Sequence, residues 1–238
     1  MNTPATGLRA QARASREALQ PVHPDGAGVV WYPPGCLRPR TYRTPTAAWR
    51  DPAFKHLASQ ARTRVGLAHV RAATRARRCR ANCHPFVRGH EAFVHNGELT
   101  ALDRLAPALK RRCGPAPLHA RCTDSELIFC LLRRFDAARH PVSAFRHTVD
   151  LIAESAHALA ANHRLRLSAA YTDGRRLVVV RYASDDRPPS LYVSRGPRGV
   201  AVASEPVRCG AGLWRALPVN TISVLTQTRC CTLPFTAG

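Results

Sequence analysis

The sequence lacks long apolar runs, which limits where the protein can reside. No stretch of about eighteen apolar residues occurs, so no transmembrane helix is expected. The N-terminal region has Arg9, Arg13 and Arg16 but no apolar segment typical of a secretory signal. A hydrophobic fraction of 45% still supports a globular chain with a substantial core. We therefore expect a cytoplasmic protein without a membrane partner, although an arginine-bearing start also resembles a transit peptide.

Lysine is nearly absent, although the chain is strongly basic. Lys55 and Lys110 are the two lysines among 36 basic residues, and the formal net charge is +21. The densest arginine group, within residues 75–80, has no interleaved aromatic side chains on which bases could stack. Arginine in place of lysine throughout, with abundant alanine and proline, indicates a coding bias. No specific nucleic-acid partner is expected, and an arginine-rich nucleic-acid-associated protein is kept as an alternative.

Paired cysteine motifs are also missing. The nine cysteines are odd in number and include no C-x-x-C pair, so a complete disulfide framework and a structural zinc site are both disfavoured. Cys79, Cys83 and His84 form C-x3-C-H, which is a weak metal signal. The sequence therefore predicts reduced thiols and no metal.

Periodicity and turn residues predict an α+β fold, with helices grouped in the middle of the chain and strands on both sides. The predicted helices cover residues 7–20, 51–60 and 102–112, a segment beginning at 123–124, and 143–160. The predicted strands cover residues 28–32, 65–70, 90–95, 165–171, 176–182, 190–194, 199–203 and 221–226.

Four polar clusters interrupt apolar sequence in the order RAAT, NCHPF, HNG and TDSE, within residues 71–126. Arg71, directly after a predicted strand, offers a planar fork suited to a carboxylate, and Thr74 can add a hydroxyl. Asp124, at a helix start, can accept an ammonium group. Asn96 and Gly97 offer an amide donor beside an accessible backbone N–H, which is what an oxyanion hole requires.

Each cluster taken alone has a simpler interpretation. Asn-Gly is the strongest hairpin signal, so HNG alone indicates a turn. Thr-Asp-Ser-Glu is an ordinary helix cap, and Arg71 could be a solvated surface charge. His69, His84 and His95 are individually more typical of core histidines with satisfied hydrogen bonds than of ligands.

The joint order and spacing of the four clusters resembles class II glutamine amidotransferases. The resemblance is strongest to the stand-alone γ-glutamyl hydrolases of the glutathione-degrading and ergothioneine-pathway kind. Residues 24–32, 171–174 and 204–206 also resemble segments of that group, so the likeness runs from about residue 10 onward. It implies one glutamine amidotransferase type-2-like domain over residues 1–238. The implied fold is a four-layer αββα sandwich of the N-terminal-nucleophile hydrolase kind, here N-terminally truncated.

The resemblance also implies roles for particular residues. Arg71 and Thr74 would contact the carboxylate end of the substrate, Asp124 would bind its α-amine, and Asn96 with Gly97 would form the oxyanion hole. The partner is expected to be a small γ-glutamyl compound, with no metal or organic cofactor. A separate synthase or hydrolase partner subunit is possible and would be needed for a transferase role, because this chain shows no ammonia-accepting domain; hydrolysis is the simpler interpretation.

One departure from the family pattern affects the chemistry. The family attacks with a cysteine at the mature N-terminus, whereas this sequence begins Met1-Asn2-Thr3, and Cys36 lies in a Pro-Gly loop. Two hypotheses follow beside the nucleic-acid alternative. The chain is a γ-glutamyl amidohydrolase whose nucleophile precedes Met1, or it is a catalytically dead γ-glutamyl-binding or regulatory pseudoenzyme.

Overall fold

The fold is seen in a computed structural model that describes residues 4–60, 63–73, 77–114, 118, 122–196, 199–207, 213–226 and 229–236. Its helices are α1 (Pro4–Arg13), α2 (Pro52–Gln60), α3 (Leu102–Arg112), α4 (Asp124–Arg134) and α5 (Pro141–Ala158). Its strands are β1 (Ala27–Trp31), β2 (Arg40–Thr44), β3 (Gly66–Val70), β4 (Phe86–Arg88), β5 (Glu91–Leu99), β6 (Leu165–Thr172), β7 (Leu177–Ala183), β8 (Tyr192–Gly196), β9 (Gly199–Ala203), β10 (Trp214–Ala216), β11 (Thr221–Leu225) and β12 (Cys230–Pro234).

Within the described residues, the strands form one large and two small antiparallel sheets. The large sheet has the order β12-β11-β7-β6-β5-β4. The first small sheet has the order β2-β1-β3, and the second has the order β10-β8-β9. Strand β5 is the longest at nine residues, and it pairs with β6 from Ala92 to Leu99. This strand lies next to the β4 edge of the large sheet, and its residues beyond Phe93 extend past the short strand β4.

The hydrophobic clusters show that the sheets are stacked between helical layers. Alternate residues of β5 face opposite ways, as expected for a strand. Ala92 packs with Val30 and Leu67 of the first small sheet, whereas Phe93 stacks on Phe129 of α4 with ring centroids 5.7 Å apart. A separate cluster joins α1 and α2 to the outer face of the first small sheet. The arrangement is an α+β sandwich with helices outside two sheet layers, as the sequence predicts.

The observed helices and strands agree best with the predicted ones where the sequence has long periodic segments. Helix α3 has the predicted bounds and buries Leu105 and Leu109, and α5 begins and ends two residues earlier than predicted. Four short strands, β2, β4, β10 and β12, were not predicted. Strand β2 consists of arginine, threonine and tyrosine, and β10 has only three residues, so neither carries a clear apolar period.

The predicted helix over residues 7–20 is wrong at its C-terminal end, because α1 ends at Arg13. Residues 15–17 are instead held by Glu205, a buried carboxylate that follows β9. Its Oε2 atom accepts hydrogen bonds from Ser15 Oγ at 3.0 Å, Arg16 N at 2.7 Å and Glu17 N at 3.2 Å. These tertiary bonds replace helical ones, so helix propensity alone could not locate the end.

The interpretation of HNG as a hairpin turn is also wrong. Asn96 and Gly97 lie inside β5, where they pair with Ser168 and Leu167 of β6. The predicted strand over residues 90–95 thus continues to Leu99. Gly97 permits this continuation because it adopts φ +137°, a conformation that other residues rarely take. No helix in the described part of the chain has the length and apolar character needed to span a bilayer.

Candidate active site

Arg71 lies directly after β3 and is held by backbone pairing with the segment before β1. Its N–H donates to Gly26 O at 2.9 Å, and its carbonyl accepts from Asp25 N at 3.0 Å. The Asp25 carboxylate also accepts from Ala73 N at 2.8 Å. Arg71 is only 6% exposed. The turn that carries the predicted carboxylate-binding arginine is therefore fixed by hydrogen bonds on both sides.

Asn96 projects from β5 toward the first small sheet and meets His69 of β3. The distance between His69 Nε2 and Asn96 Oδ1 is 2.9 Å. His69 and Arg71 are two residues apart on an extended segment, so both side chains project from the same side. This contact brings the predicted oxyanion-hole amide and the predicted substrate arginine into one region of the molecule.

Gly97 occupies a place where no side chain fits. An added Cβ would lie 1.9 Å from Arg166 O and 2.8 Å from His95 Nε2. The same Arg166 carbonyl oxygen accepts a hydrogen bond from His95 Nε2 at 2.9 Å. Gly97 is nevertheless exposed, although its strand lies inside the large sheet. A small residue here leaves its backbone accessible to a ligand.

Asp124 begins α4 and is bound to β5 through its side chain. Its Oδ2 accepts from Leu99 N at 3.0 Å, and its Oδ1 accepts from Ser125 N at 2.7 Å. The neighbouring Ser125 Oγ lies 3.0 Å from His95 Nδ1. Oδ1 also accepts from Ser125 Oγ at 3.3 Å. Because an ionised carboxylate offers about four acceptor positions, these three bonds leave one for an ammonium group. Asp124 is thus placed beside the same strand as Asn96 and Gly97.

The histidines around this region differ in their hydrogen bonding. His95 is satisfied at both ring nitrogens, as expected for a core histidine. Neither ring nitrogen of His84 has a hydrogen-bond partner among the described residues. The rings of His69 and His84 lie 4.3 Å apart. Burial is the main cause that lowers the pKa of His69 to about 4, and burial also holds the pKa of His84 well below its usual value.

Cys83 is the thiol whose environment includes the charge of Arg71. It is fully buried, and its Sγ lies 3.2 Å from Thr44 O and 3.3 Å from Cys79 O. Burial raises the pKa of this thiol, and the nearby Arg71 charge only partly opposes the rise. A thiol held in its protonated form and bonded to carbonyl oxygens is poorly suited to nucleophilic attack.

Of the predicted site residues, the structure places Arg71, Asn96, Gly97 and Asp124 around β5 and the adjoining end of β3. Thr74 lies outside the described residues. The roles of His69 as a partner of Asn96 and of Asp25 as a support of the RAAT turn were not predicted. The sequence feature that could have indicated the role of His69 is its position two residues before Arg71 on a predicted strand, which places both side chains on one face.

The chain belongs to the class II glutamine amidotransferases, whose family model matches residues 5–197. It is 28% identical to the Saccharomyces cerevisiae protein named "Probable glutamine amidotransferase DUG3", over 95% of this chain and 77% of that protein. It is also 28% identical to the γ-glutamyl-hercynylcysteine sulfoxide hydrolase of Mycobacterium tuberculosis, over 94% of this chain and 85% of that protein.

Solved structures agree with this assignment. A glutamine aminotransferase class-II domain protein from Silicibacter pomeroyi has a TM-score of 0.75 and 27% identity, covering 89% of this chain and 92% of that one. The glutamine phosphoribosylpyrophosphate amidotransferase of Bacillus subtilis has a TM-score of 0.65 at 17% identity, covering 98% of this chain and 47% of that one. The second likeness supports the fold alone, and both place the chain in an N-terminal-nucleophile type of sandwich.

Proposed function

We propose that this chain binds the γ-glutamyl group of glutamine or of another γ-glutamyl compound, at a site that serves hydrolysis of its amide bond. The main support for this proposal is that Asn96 and Gly97 lie within β5, with the Asn96 amide held by His69 and the Gly97 backbone exposed. A fixed amide beside an accessible backbone N–H is suited to a carbonyl oxygen that gains negative charge during attack.

The other proposed substrate contacts follow from the charges of the Arg71 and Asp124 side chains. In this proposal Arg71 binds the α-carboxylate of the substrate and Asp124 accepts its α-ammonium. Thr74, three residues after Arg71 in the sequence, supplies a hydroxyl. The substrate is a small molecule, and a separate synthase or hydrolase subunit could use the product. The described cysteines are free thiols, which supports a reducing, cytoplasmic setting.

Isothermal titration with L-glutamine and with glutathione tests the proposed site. Arg71→Ala should weaken binding roughly 10- to 100-fold, because a charge-assisted hydrogen bond contributes about 1.5–3 kcal/mol. Arg164→Ala is the matched control, since Arg164 is an exposed arginine paired with Glu98. Equal affinity in Arg71→Ala and the wild type would reject the assignment of Arg71.

A γ-glutamyl-binding protein without hydrolytic activity is the second candidate. The observation that favours it is that Cys83, the buried thiol near Arg71, is bonded to the carbonyl oxygens of Thr44 and Cys79 and so does not replace a terminal nucleophile. The two candidates are separated by measuring glutamate release before and after thiol alkylation, together with the N-terminal sequence of the natively expressed protein. Alkylation-sensitive release and a terminal cysteine support the hydrolase. Binding without release supports the second candidate.

A further inference from the structure

The contact between His69 and Asn96 determines more than the position of the amide. Asn96 Oδ1 can only accept a hydrogen bond, whereas a neutral imidazole nitrogen either donates or accepts. With Oδ1 turned toward the ring, the 2.9 Å contact is a hydrogen bond only when His69 Nε2 carries the proton. The orientation of the Asn96 side chain and the tautomer of His69 are consequently linked.

The surroundings of His69 support this tautomer. Burial lowers the pKa of the imidazole to about 4, so the ring is neutral near pH 7 and carries a single N–H. Nδ1 is buried and has no hydrogen-bond partner among the described residues. A proton on Nδ1 would leave a buried donor unpaired, and orphaned N–H groups are rarer in proteins than under-used acceptors.

The opposite tautomer would reverse the polarity of the site. A bare Nε2 would accept from Asn96 Nδ2, and the amide would then turn its oxygen toward the space beside Gly97. An acceptor oxygen in that position would repel a developing oxyanion instead of stabilising it. The His69 proton thus distinguishes a working oxyanion hole from a non-working one.

We propose that His69 is a positioning residue of the oxyanion hole, whose Nε2–H fixes the Asn96 amide with Nδ2 directed to the substrate carbonyl. This inference rests on the proposed γ-glutamyl site, because it assigns the polarity of the donor in that site. His69 does not touch the substrate and acts only through Asn96.

The first test is the tautomer of His69 in the unmodified chain, measured by long-range proton–nitrogen NMR on protein labelled with 15N at histidine. The His69 signals are assigned by their loss in His69→Gln. We expect a protonated Nε2 and a bare Nδ1 at neutral pH. A protonated Nδ1 would overturn the proposal. This measurement needs no bound ligand, so it judges the proposal even if glutamine does not bind.

A second test uses Asn96→Asp, which keeps an acceptor for His69 but removes the amide donor. The new carboxylate should raise the pKa of His69, as a nearby negative charge stabilises the imidazolium. An unchanged pKa would show that the two side chains do not face one another. The shift reports only that the two side chains face one another, so the role of the Nε2 proton is judged by the tautomer and by the affinities below. A failure of glutamine binding in the wild type would instead count against the proposed function.

Affinity measurements complete the test. His69→Phe keeps a ring but removes the donor, and it should weaken glutamine binding roughly fivefold, as expected for one neutral hydrogen bond of about 1 kcal/mol. His69→Gln can still donate to Asn96 and should restore most of that loss. Equal losses in both variants would indicate that ring packing, and not the Nε2 proton, is what the site requires.

Discussion

At the scale of single residues, Gly97 is the position where chemistry and backbone conformation depend on each other most. Its φ of +137° allows β5 to continue through the site, and an added Cβ would lie 1.9 Å from Arg166 O. Gly89 provides a comparison within the same chain. It also has a positive φ of +60°, yet nothing lies within 4 Å of its added Cβ. Gly97 therefore combines an unfavourable backbone conformation with a collision, whereas Gly89 has only the conformational cost.

Gly97→Ala should destabilise the fold more than Gly89→Ala does. The Gly89 variant is expected to cost about 1–2 kcal/mol, because only an unfavourable left-handed conformation is imposed. In Gly97→Ala the unfavourable backbone conformation costs of order 1–3 kcal/mol. The added Cβ also displaces Arg166 and disturbs the pairing of β5 with β6. Urea unfolding of both variants checks this expectation. Equal free energies of unfolding would mean that Gly97 is less constrained than its surroundings indicate.

At the scale of elements, the end of α1 shows how a distant residue can set a local boundary. Glu205 follows β9 and accepts three hydrogen bonds from residues 15–17. It therefore ties the N-terminal helix to the second small sheet. A buried carboxylate in this role leaves several donors unpaired when it is removed, and such donors carry a desolvation cost.

Glu205→Ala should lower the free energy of unfolding by about 1–3 kcal/mol and speed amide exchange at Arg16 and Glu17. Glu98→Ala is the matched control, because Glu98 is 44% exposed at its side chain and forms surface ion pairs. Surface pairs contribute up to about 1 kcal/mol. Exchange at Arg16 and Glu17 that is no faster in Glu205→Ala would contradict the assigned contact.

Predictability from sequence also differs by element. Helix α3 and the α4 start were predictable, since apolar spacing and the Thr123 cap are local signals. The joint order of the four polar clusters was enough to predict the family, whereas the pocket that Arg71, Asn96 and Asp124 would form stays a prediction. The extension of β5 through Asn96 and Gly97 was not predictable from local rules, because Asn-Gly favours turns and only the pairing with β6 overrides that preference. The His69 contact likewise depends on two separate sheets meeting.

At the scale of the whole molecule, buried neutral histidines couple folding to pH. The pKa of His69 is about 4 in the folded protein, against 6.5 for an unperturbed histidine. The unfolded chain therefore binds more protons than the folded one between these values, so stability falls as pH drops from about 6.5 toward 4. Burial lowers the pKa of His84 as well, so His84 contributes to the pH dependence with the same sign.

Urea unfolding across this range should show a loss of about 3 kcal/mol attributable to His69, at 1.36 kcal/mol per pKa unit. His69→Phe should reduce the dependence of the unfolding free energy on pH without abolishing it, because His84 still contributes. A wild-type stability that stays constant between pH 6.5 and 4 would contradict the low pKa values and the burial that causes them.

The net charge of +21 predicts a second whole-molecule property. The chain should attract nucleic acids weakly at low salt, with similar affinity for unrelated duplex sequences, and lose that attraction as salt increases. Fluorescence anisotropy with two unrelated duplexes at several salt concentrations checks this. Tight binding to one sequence at physiological salt would favour the nucleic-acid alternative instead.

A crystal structure of the chain with bound L-glutamine would test the proposed γ-glutamyl site directly. We expect the α-carboxylate at Arg71, the α-ammonium at Asp124, and the side-chain carbonyl oxygen between Asn96 Nδ2 and Gly97 N. Glutamine bound elsewhere, or bound here with its carbonyl turned away from Asn96, would contradict the assignment of this region as a γ-glutamyl site.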